Sequence, residues 1–137
     1  SFTQLINELY QQIRSFTHNQ AKEHDLTPVK WQVLNYLEQN NNTLTQYQLS
    51  KLMNRDLGQL TRLLNQLEAE QLIRKATDKK DKRMRHISLT NKAKEKISPI
   101  KASINKFYDN LKENLLNDEY DQLVELLTKA KDKIKIS

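Results

Sequence analysis

The chain of 137 residues has no cysteine, one glycine and two prolines. Without cysteine there is no disulfide framework, thiolate zinc site, iron–sulfur cluster or thiol redox sensor. The single glycine, Gly58, cannot supply the dinucleotide fingerprint, the P-loop or the nucleophile elbow. Each of those needs two or more glycines at fixed spacing. Scarce Gly and Pro argue against a turn-rich β-sandwich and for a mainly helical protein. No stretch approaches 18 apolar residues, and no charged-then-apolar leader opens the chain. Neither a transmembrane helix nor a secretory signal is expected, no membrane partner is expected, and the cytoplasm is the default compartment. The length is that of one ordinary domain.

Charge is present but uneven. The net charge is +6, from 23 Lys and Arg against 17 Asp and Glu. Residues 74–96 hold ten basic and three acidic side chains, a balance of +7, so the other 114 residues come to −1. Of the six arginines, Arg55, Arg62, Arg74, Arg83 and Arg85 fall between 55 and 85. The planar guanidinium suits phosphates and guanine edges better than a lysine ammonium does. This clustering points towards nucleic acid.

Apolar periodicity orders the chain. Phe2, Leu5, Ile6, Leu9, Tyr10, Ile13 and Phe16 are spaced as one helical stripe. Thr27 and Pro28 read as the N-cap and first residue of a second helix with Trp31, Val33, Leu34 and Leu37 inward. Thr45 and Gln48 form a capping box for a third helix with Leu49, Leu52 and Met53 inward. Asn54 suits its left-handed end. Asp56 caps a fourth helix whose inward residues are expected to be Leu57, Leu60, Leu63, Leu64 and Leu67. Its opposite arc centres near Arg62, with Gly58, Gln59, Asn65, Gln66 and Ala69 around it.

Residues 72–75 and 85–89 read as two short strands joined by a charged tip at 78–83. Thr90 caps the next helix, in which Pro99 predicts a kink or break. Asp118 with Asp121 reads as the cap of a last helix carrying Leu123, Leu126, Leu127, Ala130 and Ile134. The expected fold is mainly α with a small β-hairpin. Residues 1–137 make one domain, with a winged helix-turn-helix over 29–90 and helical parts at 1–28 and 91–137. The wide apolar stripes of the terminal helices predict a homodimer in which they interlock.

The exposed arc of the fourth helix is the right width for a DNA major groove. Arg62 can pair with a guanine edge, and Gln59, Asn65 or Gln66 with adenine. Gly58 lets the backbone approach closely. Lys79, Lys80 and Lys82 can neutralise phosphates, Arg85 adds to the basic cluster, and Thr45 and Gln46 sit at a helix N-terminus where phosphates bind. Against these stand weaker readings. His18 and His24 are six apart, which is not the spacing of a helical metal pair, although Glu23 lies near them. Ser, His and Asp carry no local catalytic signature, so neither enzyme activity nor a cofactor is expected.

The order of elements resembles the MarR family of bacterial winged-helix transcription regulators. The resemblance rests on Leu26-Thr27-x-x-x-Trp31-x-Val33-Leu34, on Thr61-Arg62-Leu63-Leu64-x-x-Leu67-Glu68, and on Asp81-Lys82-Arg83 followed by Leu89-Thr90. It implies that Arg83, held by Asp81, enters the minor groove. It also implies that Gln59, Thr61 and Arg62 are recognition-helix contacts. A dimeric repressor on a pseudo-palindromic operator, released by a small aromatic or phenolic effector, is what the family suggests. Alternatives are a ligand-independent DNA-binding regulator controlled by a protein partner, or a helical interaction module. The chain departs from the family at Leu57 and Gly58, where a basic and a small hydroxyl residue are frequent. It departs also at Gln71 and Ala93, where Gly is favoured, with slight strain expected at Gln71. Without cysteine, the peroxide-sensing thiol of some relatives is excluded.

Overall fold

The computed structural model describes residues 1–134. The chain forms two compact units, Ser1–Ala102 and Ser103–Ser137. The first begins with α1 (Phe2–Glu23) and α2 (Pro28–Gln39), followed by β1 (Thr43–Thr45), α3 (Gln46–Met53) and α4 (Leu57–Ala69). It continues with β2 (Ile73–Thr77), β3 (Arg85–Leu89) and the first part of α5 (Asn91–Glu113). The second unit holds the rest of α5 and α6 (Asn117–Lys133).

The caps form as the sequence predicts. Thr45 Oγ1 accepts from Gln48 N at 3.1 Å while Gln48 Oε1 accepts from Thr45 N at 2.9 Å, closing the capping box of α3. Asp56 Oδ1 accepts from Gln59 N at 2.8 Å and starts α4. Thr90 Oγ1 accepts from Ala93 N at 3.1 Å and donates to the carbonyl of Gln71 at 2.7 Å, so one hydroxyl starts α5 and ties it to the end of α4.

With one glycine in the chain, other residues close the helix ends. Asp25, Asn41, Asn42, Asn54 and Gln71 all have positive φ, and Gly58 does not. After α4, Leu72 N donates to Leu67 O and Gln71 N to Glu68 O, both at 2.9 Å. These are the two bonds of a Schellman motif, with glutamine in the left-handed position that glycine usually fills. At the end of α3, Asn54 adopts φ 50 and ψ 48, as expected, and Ser50 Oγ donates across the turn to Arg55 O at 2.9 Å.

A three-stranded antiparallel sheet in the order β1-β3-β2 supports the helix pair. Leu44 pairs with Ile87, and Ile87 also faces Lys75 in register. Strand β1 has no counterpart among the expected elements, because three residues are too short for an alternating pattern. The core runs through Trp31, Leu34, Leu37, Leu49, Leu60, Leu64, Leu67, Ile73, Ile87, Ile97 and Ile100. Burying side chains of this size stabilises by roughly 1.5–3 kcal/mol each before entropic costs.

Several expectations change. Leu57 is 50% exposed rather than inward, and Leu52 is 47% exposed. Met53 is only half-buried. Each lies at an end of its short helix, where the core has already turned away. Of the kink or break expected at Pro99, the break does not occur, and α5 continues through it. Pro99 lacks one N–H, but Ile97 and Ile100 on either side are buried and hold the segment helical. Helix α1 extends about two further turns beyond the visible stripe, from Phe16 to Glu23. Helix α6 begins at Asn117, because Glu119 Oε1 reaches back to Leu116 N at 2.8 Å and places the helix start before Asp118.

Two apolar faces remain uncovered within their own units. On α1 they are Phe2, Leu5, Ile6, Leu9 and Tyr10, and on α6 Leu123, Val124, Leu126 and Leu127.

Candidate nucleic-acid interface

Helix α4 presents two distinct flanks. Its buried side is Leu60, Leu63, Leu64 and Leu67. At 100° per residue, Leu57, Thr61 and Asn65 share one exposed flank, Gln59, Arg62 and Gln66 the other, and Gly58 lies between. The first flank walls a groove of about 910 Å³ whose other walls come from the start of α3, from β2 and from the wing. Thr45, Gln46, Thr61, Asn65, Arg83 and Arg85 all line it. Gln59, Arg62 and Gln66 lie exposed outside it. Lys79, Lys80 and Lys82 are exposed on the wing tip.

The groove also contains Leu57, which was expected inward, and three residues that the sequence pattern did not single out: Tyr47, Lys75 and Met84. Tyr47 is 62% exposed, with the Lys51 ammonium 5.3 Å from its ring centroid. Lys75 donates to Asn65 Oδ1, linking β2 to α4. Gln46 Nε2 donates to Thr61 Oγ1 at 2.7 Å, and Thr61 Oγ1 donates to Leu57 O at 2.6 Å. The Lys75–Asn65 and Gln46–Thr61 links join positions ten and fifteen residues apart, so no local motif could have announced them.

The wing tip is organised by its aspartates. Asp81 Oδ1 accepts from Arg83 N at 3.0 Å and from Arg83 Nε at 3.3 Å. Met84 N donates to Asp81 O, and Asp78 N to Met84 O, which closes the tip. His86 Nε2 lies 3.9 Å from Asp78 Oδ1. A negative side chain in a basic loop thus shapes the turn and orients its arginine, as the resemblance implied. A Cβ at Gly58 would meet Asp56 Oδ1, the oxygen that caps α4, at a tight 3.3 Å.

A second concavity, of about 310 Å³, lies between α1 and α2. Tyr10 and Trp31 give it aromatic walls, and Arg14, His18 and Arg55 give it positive charge or donors. Burial, with a smaller contribution from the Arg14 guanidinium, holds the His18 imidazole below its ordinary pKa. His18 and His24 do not bring a metal cluster together, and among the described residues no group of three or more metal-ligating side chains converges. No helix among the described residues is long and apolar enough to cross a membrane.

Residues 24–84 match the family model described as the MarR family. The chain is similar over more than nine-tenths of its length to several solved structures. With MepR from S. aureus, in a DNA complex, the TM-score is 0.80 at 23% identity, covering 98% of each chain. With a mutant MarR from E. coli complexed with operator DNA, the TM-score is 0.75 at 25% identity, covering 93% of this chain and 91% of that one. With YusO from Bacillus subtilis, the TM-score is 0.72 at 20% identity, covering 97% and 94%.

Proposed function

We propose that the chain is a transcriptional regulator of the MarR family, whose model its residues 24–84 match, and that it is a sequence-specific DNA-binding repressor. It acts as a homodimer on a pseudo-palindromic operator. Helix α4 enters the major groove and the wing carries Arg83 into the minor groove. The observation that carries this reading is the juxtaposition of the polar flanks of α4 with a wing whose arginine is held by Asp81. Operator-bound MarR and DNA-bound MepR, which share this fold, support the reading.

The physical roles follow from residue chemistry. The free N–H groups at the start of α4 favour phosphate or base acceptors. Arg62 pairs with a guanine edge, and Gln59 and Gln66 with neighbouring edges, each good pair discriminating by roughly 1–3 kcal/mol. Lys79, Lys80 and Lys82, with Arg85, neutralise phosphates and give affinity a steep salt dependence. Thr45 and Gln46 at the start of α3 approach the backbone from the other side. The minor groove is where a narrow A·T-rich segment attracts Arg83 most strongly. The exposed apolar faces of α1 and α6 form the dimer interface, which sets the two recognition helices about 34–36 Å apart.

The cleft between α1 and α2 suits a small aromatic or phenolic acid. Tyr10 and Trp31 stack against the ring while Arg14 and Arg55 meet the carboxylate. Such a ligand lowers DNA affinity by favouring a different spacing of the two recognition helices. Selection of bound DNA from a random pool tests the main reading. A two-fold motif at about one helical turn is expected, and an absence of enrichment rejects it. Thermal-shift screening with phenolic acids tests the effector. A shift is expected with the wild type and not with Arg14→Ala, and no shift in either leaves a ligand-independent regulator.

A further inference from the structure

Asparagine reads adenine through two atoms at once. Its amide oxygen accepts from adenine N6 while its amide nitrogen donates to N7. The pairing therefore needs Oδ1 directed at the base and available to a donor. Asn65 does not stand alone in that way. Lys75, projecting from β2 at the floor of the groove, donates to Asn65 Oδ1. Lysine has donors only, so the amide must turn its oxygen towards Lys75 and its hydrogens outward.

The neighbouring position is pinned in the same manner. Thr61 Oγ1 accepts from Gln46 Nε2 at 2.7 Å and gives its own proton to Leu57 O at 2.6 Å. Its proton is committed, and its methyl group is what remains to meet a ligand. The stripe along this flank of α4 is consequently Leu57, the Thr61 methyl, and then a cluster of N–H donors from Asn65 and Lys75. An apolar surface followed by donors complements a thymine methyl followed by an acceptor-rich edge. Guanine offers two acceptors, O6 and N7, whereas adenine presents its own N6 amino donor to the same groups. A lysine ammonium beside the amide adds repulsion against that amino group.

We propose that Lys75 is a specificity-determining residue, which turns Asn65 from a reader of adenine into a reader of guanine. The proposal rests on the placement of α4 in the major groove, and it names what one pair of side chains does there. Lys75 acts on base choice by fixing the Asn65 amide and by adding its own donors. Its strand is held by main-chain pairing with Ile87, so its side chain can be changed without removing the strand.

The test is selection from a random DNA pool with the wild type, Lys75→Met and Asn65→Ala, each first checked for an unchanged thermal melt. The wild type is expected to enrich guanine at one position in each half-site. Lys75→Met is expected to reduce that preference about tenfold and to admit adenine at the same position, in line with one good base contact. Asn65→Ala is expected to flatten the same position and no other. A Lys75→Met motif identical to that of the wild type, with affinity lowered for every sequence alike, overturns the proposal and makes Lys75 a phosphate contact. Wild-type enrichment of adenine at the position that Asn65→Ala flattens overturns it as well. A wild type that enriches nothing instead rejects the DNA reading on which the proposal stands.

Discussion

Asp81 and Arg83 form a self-contained clamp at the tip of the wing. One carboxylate oxygen accepts from the main-chain N–H of Arg83 at 3.0 Å and from its Nε at 3.3 Å. The Arg83 side chain is nevertheless 93% exposed. A pair this exposed contributes little to folding, so its value lies in orienting the guanidinium before DNA arrives. Arg83→Ala is expected to weaken binding to all sequences by about 1.5–3 kcal/mol, the range for hydrogen bonds to a charged group. Asp81→Ala should weaken it by about 1 kcal/mol, because a freed side chain must be ordered on binding. Thermal melts of both variants should match the wild type. Fluorescence anisotropy with specific and scrambled duplexes checks the first two effects. Undiminished affinity in Arg83→Ala rejects the minor-groove assignment.

Gly58 offers a separation of stability from binding. Its φ is not positive, and an added Cβ meets only the end of the Asp56 side chain. Alanine is the better helix former, while the capping Asp56 oxygen must give by a few tenths of an ångström, so the two effects offset and Gly58→Ala should change stability by no more than about 0.5 kcal/mol. On a closely fitted DNA surface the same methyl should cost about 1–3 kcal/mol of affinity, as overpacking does elsewhere. A variant that binds equally well shows that the backbone at this position stays clear of DNA.

Much of this arrangement was legible locally, and the reason is physical. A cap is a contact between residues three apart, so Thr45 with Gln48 and Asp56 with Gln59 announced α3 and α4 directly. Asn54 likewise signalled its left-handed turn. Position along a short helix was less readable. Leu57 fits the apolar spacing of α4, yet it sits in the first turn, where the core has ended and the groove begins. The links from Lys75 to Asn65 and from Gln46 to Thr61 join separate elements. They depend on how the wing and helix pair settle against each other, which no spacing rule encodes. The α1–α2 cleft was hidden for the same reason: Arg14, His18 and Arg55 meet only when the α3–α4 turn folds back towards α1.

Gln71 carries a cost that can be recovered. It holds φ 62 at the end of α4, where a β-carbon crowds the backbone. The turn cannot relax, because Leu72 N, Gln71 N and the Thr90 hydroxyl all bond across it. Gln71→Gly removes the crowding and adds chain entropy to the unfolded state, and the first effect is larger. A net gain of about 0.5–1 kcal/mol is expected, or a few degrees in melting temperature. Gln71→Ala should give no such gain. Paired thermal denaturation distinguishes them, and equal melting temperatures for the two variants reject strain as the explanation.

His18 should make stability depend on pH in a definite direction. Burial first, and the Arg14 guanidinium second, lower its pKa from 6.5. Above pH 6.5 the imidazole is neutral in both the folded and the unfolded chain, and it adds no pH dependence. As pH falls below 6.5 the unfolded chain takes up the proton more readily, so folding loses stability until the folded pKa is passed. Between pH 7.5 and 5.5, the wild type should lose more melting temperature than His18→Gln. An aromatic carboxylate in the cleft should act the other way, since a negative charge beside His18 and Arg14 favours the protonated ring. Its binding should then take up protons near pH 6, seen as a buffer-dependent heat in calorimetry, and His18→Gln should abolish that dependence. If the variant retains it, the proton goes elsewhere and the ligand does not bind against His18.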